Sequence, residues 1–96
     1  MTKEQIIDYL KSSKDRLNTQ YGVTAITLFG SYAKGGATDK SDIDIAVQTP
    51  LSDYFLLYDL KENLEKALHT KVDLIRLREH MNPFLKRRIL EEGIYV

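Results

Sequence analysis

Two aspartates separated by a single residue are the first feature of this sequence that could do chemistry. Asp42 and Asp44 stand in the segment Ser41-Asp42-Ile43-Asp44-Ile45-Ala46-Val47, whose alternation of polar and apolar residues predicts a strand with one apolar face. Side chains at positions i and i+2 of a strand share a face, which puts these two Cβ atoms about 7 Å apart. Ionised acids this close need a cation, a shared proton or open solvent. If a cation is the answer, one or two Mg²⁺ ions suit the pair, because Mg²⁺ commonly takes one or two carboxylates plus substrate phosphates.

A third aspartate lies in the next predicted strand. Asp73 stands between Val72 and Leu74 in an otherwise apolar run. A charged residue there is costly unless it is paired, bound to a metal or placed at an exposed edge. A predicted helix separates this strand from the one that carries Asp42 and Asp44, which favours a right-handed parallel crossover. If the two strands are neighbours, Asp73 reaches the same ions.

A glycine and a serine supply the phosphate-binding half of the predicted site. Gly30 and Ser31 directly follow an apolar, β-branched segment over residues 23–29 that predicts a strand. Ser31 is expected to open a short helix, whose free N–H groups and partial positive charge suit phosphate. Glycine lets a phosphate approach the backbone, and the serine hydroxyl adds a donor. Each feature alone is usually a turn, a solvent-facing pair or an edge acid, but their combination fits metal-assisted phosphoryl or nucleotidyl transfer.

Alternating helices and strands must position these residues. Thr2 and Gln5 fit a capping box, Gly22 fits a left-handed helix end, and Asn82-Pro83 fits a helix start. The predicted elements, in order, are a helix ending at Tyr21-Gly22, a strand over 23–29, a turn, short helix and loop over 30–41, a strand over 42–48, a helix over 52–69, a strand over 71–77, a helix from Asn82-Pro83 to Gly93, and an apolar tail over 94–96. The direction of the first two strands relative to each other stays open.

Length, charge and composition restrict the classes of protein to which this chain can belong. The 96 residues allow one domain, over residues 1–96. With 14 Lys and Arg against 14 Asp and Glu the net charge is zero, which argues against direct nucleic-acid binding by bulk electrostatics. The absence of cysteine excludes a disulfide framework and thiolate sites. No apolar run approaches the roughly 18–20 residues that span a bilayer, so a cytoplasmic protein without membrane contact is expected.

The motifs together resemble the DNA polymerase β-type nucleotidyltransferase superfamily, and within it the minimal nucleotidyltransferase (MNT) group. The resemblance implies an α/β (α+β) fold, a small mixed β-sheet flanked by helices. It implies that Asp42 and Asp44 are metal ligands, that Asp73 is the third metal-binding carboxylate and base, and that Gly30 and Ser31 contact the triphosphate. Many relatives carry arginine where this chain has Tyr32 and Lys34. Lys34 still offers a point charge to phosphate, without the bidentate fork of arginine.

The resemblance also implies a partner. Proteins of the MNT group are antitoxins paired with HEPN-type RNase toxins, so the implied reaction is Mg²⁺-dependent transfer of AMP from ATP to a tyrosine hydroxyl of the toxin. Two alternatives stay open: a binding-only antitoxin that neutralises its toxin by contact, and a nucleotidyltransferase that acts on a small molecule. The three carboxylates favour the enzyme over the binding-only protein, because binding alone gives no reason to cluster acids.

Three further groups of residues have a structural explanation that is favoured over a functional one. The basic cluster Lys86-Arg87-Arg88, with Arg76 and Arg78 before it, is interpreted as a solvated face, with nucleotide or acidic-partner contact as the alternative. The aromatics Tyr54, Phe55 and Tyr58 are expected to pack in the core, with an interface as the alternative. His69 and His80 lack metal-ligand spacing and are expected at the surface.

Overall fold

The computed structural model describes residues 1–96 and has one four-stranded mixed sheet flanked by helices. The elements are α1 (Lys3–Tyr21), β1 (Ala25–Phe29), α2 (Gly30–Lys34), β2 (Ile43–Gln48), α3 (Tyr54–Leu68), β3 (Val72–Arg76), α4 (Pro83–Glu92) and β4 (Ile94–Tyr95). The strand order in the sheet is β3-β2-β1-β4. This architecture confirms the predicted fold class. None of the helices has the length and apolar character needed to cross a bilayer.

Local signals in the sequence set the ends of the long helices. The Thr2 hydroxyl accepts from the Gln5 N–H at 3.2 Å, and the Gln5 side chain accepts from the Thr2 N–H at 2.8 Å, which confirms the capping box. Gly22 ends α1 in the left-handed conformation, with φ of 69°. The Asn82 side chain caps the start of α4, and Pro83 fills the first helical position, as predicted.

Strand pairing brings three chain segments to one end of the sheet. β2 and β3 run parallel, as the crossover predicts, with Asp44 in register with Asp73. β1 and β2, whose relative direction the sequence left open, run antiparallel, with Phe29 opposite Asp44. The last residue of β1 therefore lies beside the start of β2, at the same end of the sheet where β3 begins. Gly30, which follows Phe29, enters the same region.

The prediction of an apolar tail over residues 94–96 is wrong, because Ile94–Tyr95 forms β4. This strand pairs antiparallel with β1, and the Val96 N–H continues the ladder by donating to the Ile26 carbonyl at 3.0 Å. Two residues are too few to show an alternating pattern, so the strand depends on contact with a distant part of the chain. β4 follows α4 after one residue and ties the end of that helix to the sheet.

Helices cover the two faces of the sheet unequally. On one face, α1 and α3 contribute to a main cluster of 15 buried apolar residues. On the other face, α4 contributes to a second cluster of four, formed by Phe29, Ala46, Leu77 and Ile89. The prediction that β2 has a single apolar face is therefore wrong, because Ala46 is fully buried on the side that also carries Asp44.

The aromatics at the start of α3 do not pack in the core, which corrects the sequence prediction. Tyr54 and Phe55 are 86% and 87% exposed, and Tyr58 is 59% exposed. The fully buried positions of α3 begin only at Leu60 and continue at four-residue intervals to Leu68. The first turns of α3 precede that buried stripe, so their aromatic side chains face solvent.

Candidate active site

Asp44 and Asp73 lie side by side where β2 and β3 begin. The parallel register makes them direct neighbours across the two strands. Asp44 is half-buried on an inner strand, whereas Asp73 is exposed on the outer strand of the sheet. The structure thus brings these two carboxylates together, as parallel pairing predicts, and leaves Asp73 accessible to another molecule.

The charges around Asp44 disfavour its ionised form. Burial raises the pKa of the Asp44 carboxyl, and the negative charges of Asp73 and Asp42 raise it further. The positive charge of Arg88 opposes this shift but does not cancel it. The acids are therefore crowded without sufficient positive charge, which is an arrangement that a bound cation relieves.

Asp42 lies outside the direct cross-strand pair of Asp44 and Asp73. It immediately precedes β2 and is exposed, and its charge acts on Asp44 less strongly than that of Asp73. No three His, Asp or Glu side chains of the chain are grouped so that they could hold a metal ion by themselves. Mg²⁺ needs only one or two carboxylates when substrate phosphates complete its shell. The crowded pair Asp44 and Asp73, with Asp42 nearby, fits a Mg²⁺ ion that binds together with a phosphate ligand.

Gly30 is the point where the backbone meets the Asp44 side chain. Its φ of 73° lies in the left-handed region, which glycine adopts without steric cost. A Cβ atom at this position would overlap the Asp44 Oδ2 atom and lie 2.8 Å from its Cγ. Glycine at position 30 therefore leaves the space that the Asp44 carboxylate occupies, in addition to the phosphate approach predicted from the sequence.

Ser31 is the second residue of α2, which begins at Gly30 and not at Ser31 as predicted. The residue before the helix, Phe29, offers no side-chain acceptor, so no side chain caps the first turn. Ser31 is half-buried, and its hydroxyl makes no hydrogen bond within the chain. The first turn of α2 therefore presents free donors beside Asp44, as phosphate binding requires.

Lys34 and Arg88 share one carboxylate at the margin of the site. The Lys34 Nζ lies 3.0 Å from the Glu92 Oε2, and the Arg88 Nε lies 3.5 Å from the same oxygen. The hydrogen bond from Lys34 and the charge of Arg88 lower the pKa of Glu92. Lys34, predicted as a phosphate contact, is thus held by α4, and of the two cations Arg88 is the one whose positive charge acts on Asp44.

The sequence interpretation of Lys86-Arg87-Arg88 as a solvated face includes neither Glu92 nor the pairing of Arg88 with it. Arg88 and Glu92 are four residues apart on α4, a spacing that indicates an ion pair along one helix face. That spacing was a usable signal for the pair. Its location beside Asp44 was not visible in the sequence, because it depends on how α4 docks on the sheet.

A family profile matches nearly the whole chain. The family described as Polymerase beta, Nucleotidyltransferase matches residues 4–96, which include Gly30, Ser31 and all three aspartates of the predicted site. The resemblance that the motifs carry is therefore confirmed over the region in which they lie.

Proteins of similar length share substantial sequence identity with this chain. A Methanocaldococcus jannaschii protein, named as a candidate protein adenylyltransferase, is 45% identical over 99% of this chain and 98% of its own length. The protein adenylyltransferase MntA of Thermococcus cleftensis is 33% identical over 100% of this chain and 97% of its own length.

Solved structures share the fold. A chain in a toxin–antitoxin crystal structure with AMP-PNP superposes with a TM-score of 0.73 and 30% identity, over 99% of this chain and 72% of that one. A chain in the complex of tri-AMPylated Shewanella oneidensis HEPN toxin with MNT antitoxin superposes with a TM-score of 0.68 and 28% identity, over 99% and 71%.

Proposed function

The chain belongs to the polymerase β nucleotidyltransferase family, and we propose that it is a Mg²⁺-dependent protein adenylyltransferase that moves AMP from ATP to a tyrosine hydroxyl of a HEPN-type toxin. The observation that carries this proposal is the pairing of Asp44 with Asp73 in adjacent strands, with Gly30 against Asp44. The relatives named as adenylyltransferases and the complex with an AMPylated HEPN toxin support the reaction class and the partner.

The carboxylates have distinct tasks in this proposal. Asp44, Asp73 and the nearby Asp42 would hold Mg²⁺ together with the triphosphate. When bound, Mg²⁺ supplies positive charge that stabilises the phosphate oxygens during transfer. Asp73 is the exposed member of the pair, so a hydroxyl of another protein can reach it.

The donors and cations orient the triphosphate. The free N–H groups at the start of α2 and the Ser31 hydroxyl contact phosphate oxygens, and Lys34 and Arg88 add positive charge. In the transfer, the acceptor oxygen bonds to the α-phosphorus, and the bond from that phosphorus to the bridging oxygen breaks, so pyrophosphate leaves. The proton of the acceptor hydroxyl moves to the Asp73 carboxylate as general base.

Intact mass measurement of the toxin tests this proposal. The chain is co-expressed with the HEPN-type toxin of its own genome, and the toxin is purified and weighed. An AMP-sized mass increase, or a multiple of it, is expected with the wild-type chain and not with Asp44→Asn. Asp8→Asn, which changes an exposed acid on α1, is the matched control and is expected to leave the increase unchanged.

A binding-only antitoxin is the second candidate, because the exposed aromatics Tyr54 and Phe55 offer a contact surface. It predicts a toxin that is silenced without any change in mass, and equally so by Asp44→Asn. That result would replace the enzymatic proposal.

A further inference from the structure

A large open groove lies between the start of α3 and the outer strand β3, and none of its lining residues has a part in the proposed reaction. Its volume is about 990 Å³, and six of its ten lining residues are hydrophobic. Tyr54, Phe55 and Tyr58 form its α3 side, and Leu74 and Ile75 form its β3 side. We call this the α3–β3 groove. Several apolar side chains on one exposed surface indicate an interaction site.

The groove opens on a sheet edge that has no partner strand. β3 is the last strand of the sheet on this side, and Leu74 and Ile75 pack against different clusters, so both faces of the strand border the groove. Backbone groups of alternate residues in a parallel strand point to opposite sides. The carbonyl of Lys71 and the N–H of Leu77 bond to β2. The backbone groups of Leu74 and Arg76 therefore point outward.

One contact within the chain supports this orientation. The N–H of Val72, which also belongs to the outward set, donates to the Glu65 carboxylate of α3 at 2.9 Å. The Glu65 side chain thus satisfies the first outward N–H group of β3. The next outward groups, on Leu74 and Arg76, meet the open groove and have no such acceptor. They form a short ladder that an added strand can complete.

The charges in the groove have one sign. Lys61, Arg76 and Arg78 line it, and no acidic residue does. Neither arginine has a carboxylate partner in the chain, and Arg76 uses its Nε to donate to the Thr49 carbonyl at 3.1 Å. The net charge of the whole chain is zero, so this positive charge is local. A partner with acidic side chains complements it.

We propose that the α3–β3 groove binds an extended, acidic segment of the acceptor protein, which pairs with the edge of β3 and packs apolar side chains on the α3 aromatics. The identity of the acceptor rests on the proposed function, whereas the surface and the chemistry of the segment rest on the groove itself. Asp73 directly precedes Leu74 on β3. A segment bound along this edge therefore leads to the carboxylate that receives the acceptor proton.

Two other occupants fit the groove less well, a second copy because of charge and a nucleic acid because of the strand edge. A second copy of this chain in a symmetric contact would bring two grooves of the same positive charge together, with no acid in either groove to offset it. A single-stranded nucleic acid suits aromatic and basic side chains. The outward backbone groups of β3 favour a polypeptide instead, because a strand pairs with both their N–H and C=O groups and a nucleic acid has no matching backbone.

Binding of the HEPN-type toxin from the same genome, measured without ATP or Mg²⁺, tests the surface. Phe55→Glu and Arg78→Glu change exposed side chains, so the chain remains folded. Each is expected to weaken toxin binding at least tenfold. Phe84→Glu, which changes an aromatic residue 80% exposed on α4, is the matched control and is expected to stay within twofold of the wild type. Equal affinity for all variants overturns the proposal.

Amide hydrogen exchange tests the strand pairing independently. In the complex, the Leu74 and Arg76 N–H groups are expected to exchange at least tenfold more slowly than in the free chain. Unchanged exchange at both positions overturns the pairing. Loss of self-association or of single-stranded RNA binding in Phe55→Glu, with toxin binding unchanged, assigns the groove to one of the other two occupants.

The mass of the toxin separates this proposal from the proposed transfer. If the toxin binds through the groove and never gains AMP, the transfer is wrong and the docking surface stands. If the wild-type chain and the groove variants modify the toxin equally, the transfer stands and the docking surface is wrong.

Discussion

The two faces of the sheet differ in what they contain. The face under α1 and α3 holds the main cluster of 15 buried residues, and every one of them is apolar or aromatic. The face under α4 holds a second cluster of four, together with Asp44 and its acidic neighbour Asp73. Both faces are built on the same strands, because alternate residues of β2 point to opposite sides.

This difference indicates a division between stability and chemistry. The main cluster buries enough apolar surface to hold the strands in place, so the opposite face can tolerate crowded carboxylates. Substitutions on the two faces are therefore expected to have different effects. Those under α1 and α3 should change the free energy of unfolding, and those beside Asp44 should change the rate of AMP transfer.

Asp44→Asn gives the largest expected effect on the chemical face. We expect the AMP transfer rate to fall at least about 10³-fold, equivalent to about 4 kcal/mol of activation free energy, because one carboxylate of the pair is lost. The thermal shift produced by Mg²⁺ with ATP is expected to disappear as well. Transfer is measured by toxin mass against time, with Asp8→Asn as control.

The stability of Asp44→Asn tests whether Asp44 helps to hold the fold together, and we expect that it does not. The raised pKa means that ionised Asp44 opposes folding, and its stabilising contribution is present below the ordinary aspartate pKa and is lost as pH rises through the raised value. Asp44→Asn is therefore expected to be no less stable than the wild type at pH 7, with a smaller advantage near pH 4. If urea unfolding at pH 7 showed that Asp44→Asn has a much lower free energy of unfolding than the wild type, the division of stability and chemistry between the two faces would be wrong.

Leu64→Ala is the matching substitution on the other face. Leu64 is fully buried in the main cluster, so its truncation is expected to cost about 3 kcal/mol of unfolding free energy. Transfer by the remaining folded protein should stay close to that of the wild type at 10 °C. Leu56→Ala, on the same helix and 42% exposed, serves as control, and an equal loss for both would contradict the burial.

Gly30→Ala is expected to lower both the stability of the fold and the rate of AMP transfer. The left-handed φ and the overlap of a Cβ with the Asp44 carboxylate are expected to cost about 2 kcal/mol of stability, and the displaced carboxylate is expected to lose transfer. Gly35→Ala also changes a glycine with positive φ, at 83°, but nothing lies within 4 Å of its added Cβ. Gly35→Ala should therefore keep full transfer per folded molecule.

Tyr21→Phe gives the smallest expected effect. The Tyr21 hydroxyl donates to the Asp59 carboxylate at 2.6 Å, and its loss is expected to cost about 1 kcal/mol at pH 7. Burial, with the hydrogen bond and charge of Asp59, raises the pKa of Tyr21, so the contribution is present below pH 10 and is lost as pH rises beyond it. Tyr95→Phe, on a tyrosine 60% exposed, should change nothing.

Features that are decided by residues close together in the sequence were predictable, and features that depend on distant segments were not. The capping box of Thr2 and Gln5 is complete within four residues, and the parallel pairing of β2 with β3 follows from the helix between them. The pair of Asp44 and Asp73 follows from that pairing in turn. These features were predictable because adjacent residues, or one crossover rule, decide them.

The rest depends on contacts between distant segments. β4 pairs with β1 across most of the chain, and Arg88 and Glu92 reach the site only because α4 docks on the second face. The exposed aromatics of α3 depend on where the buried stripe starts, which helical periodicity alone does not specify. Only the pairing and docking of whole elements decides these features.

The contact between Gly30 and Asp44 has an evolutionary consequence. A lineage that fills position 30 with a larger residue loses the space for the carboxylate, so position 44 is then free to become small and neutral without further loss. The two positions should change together in descendants that abandon catalysis, while the core under α1 and α3 is kept. Such sequences would carry a filled position 30 as the inherited mark of a former enzyme.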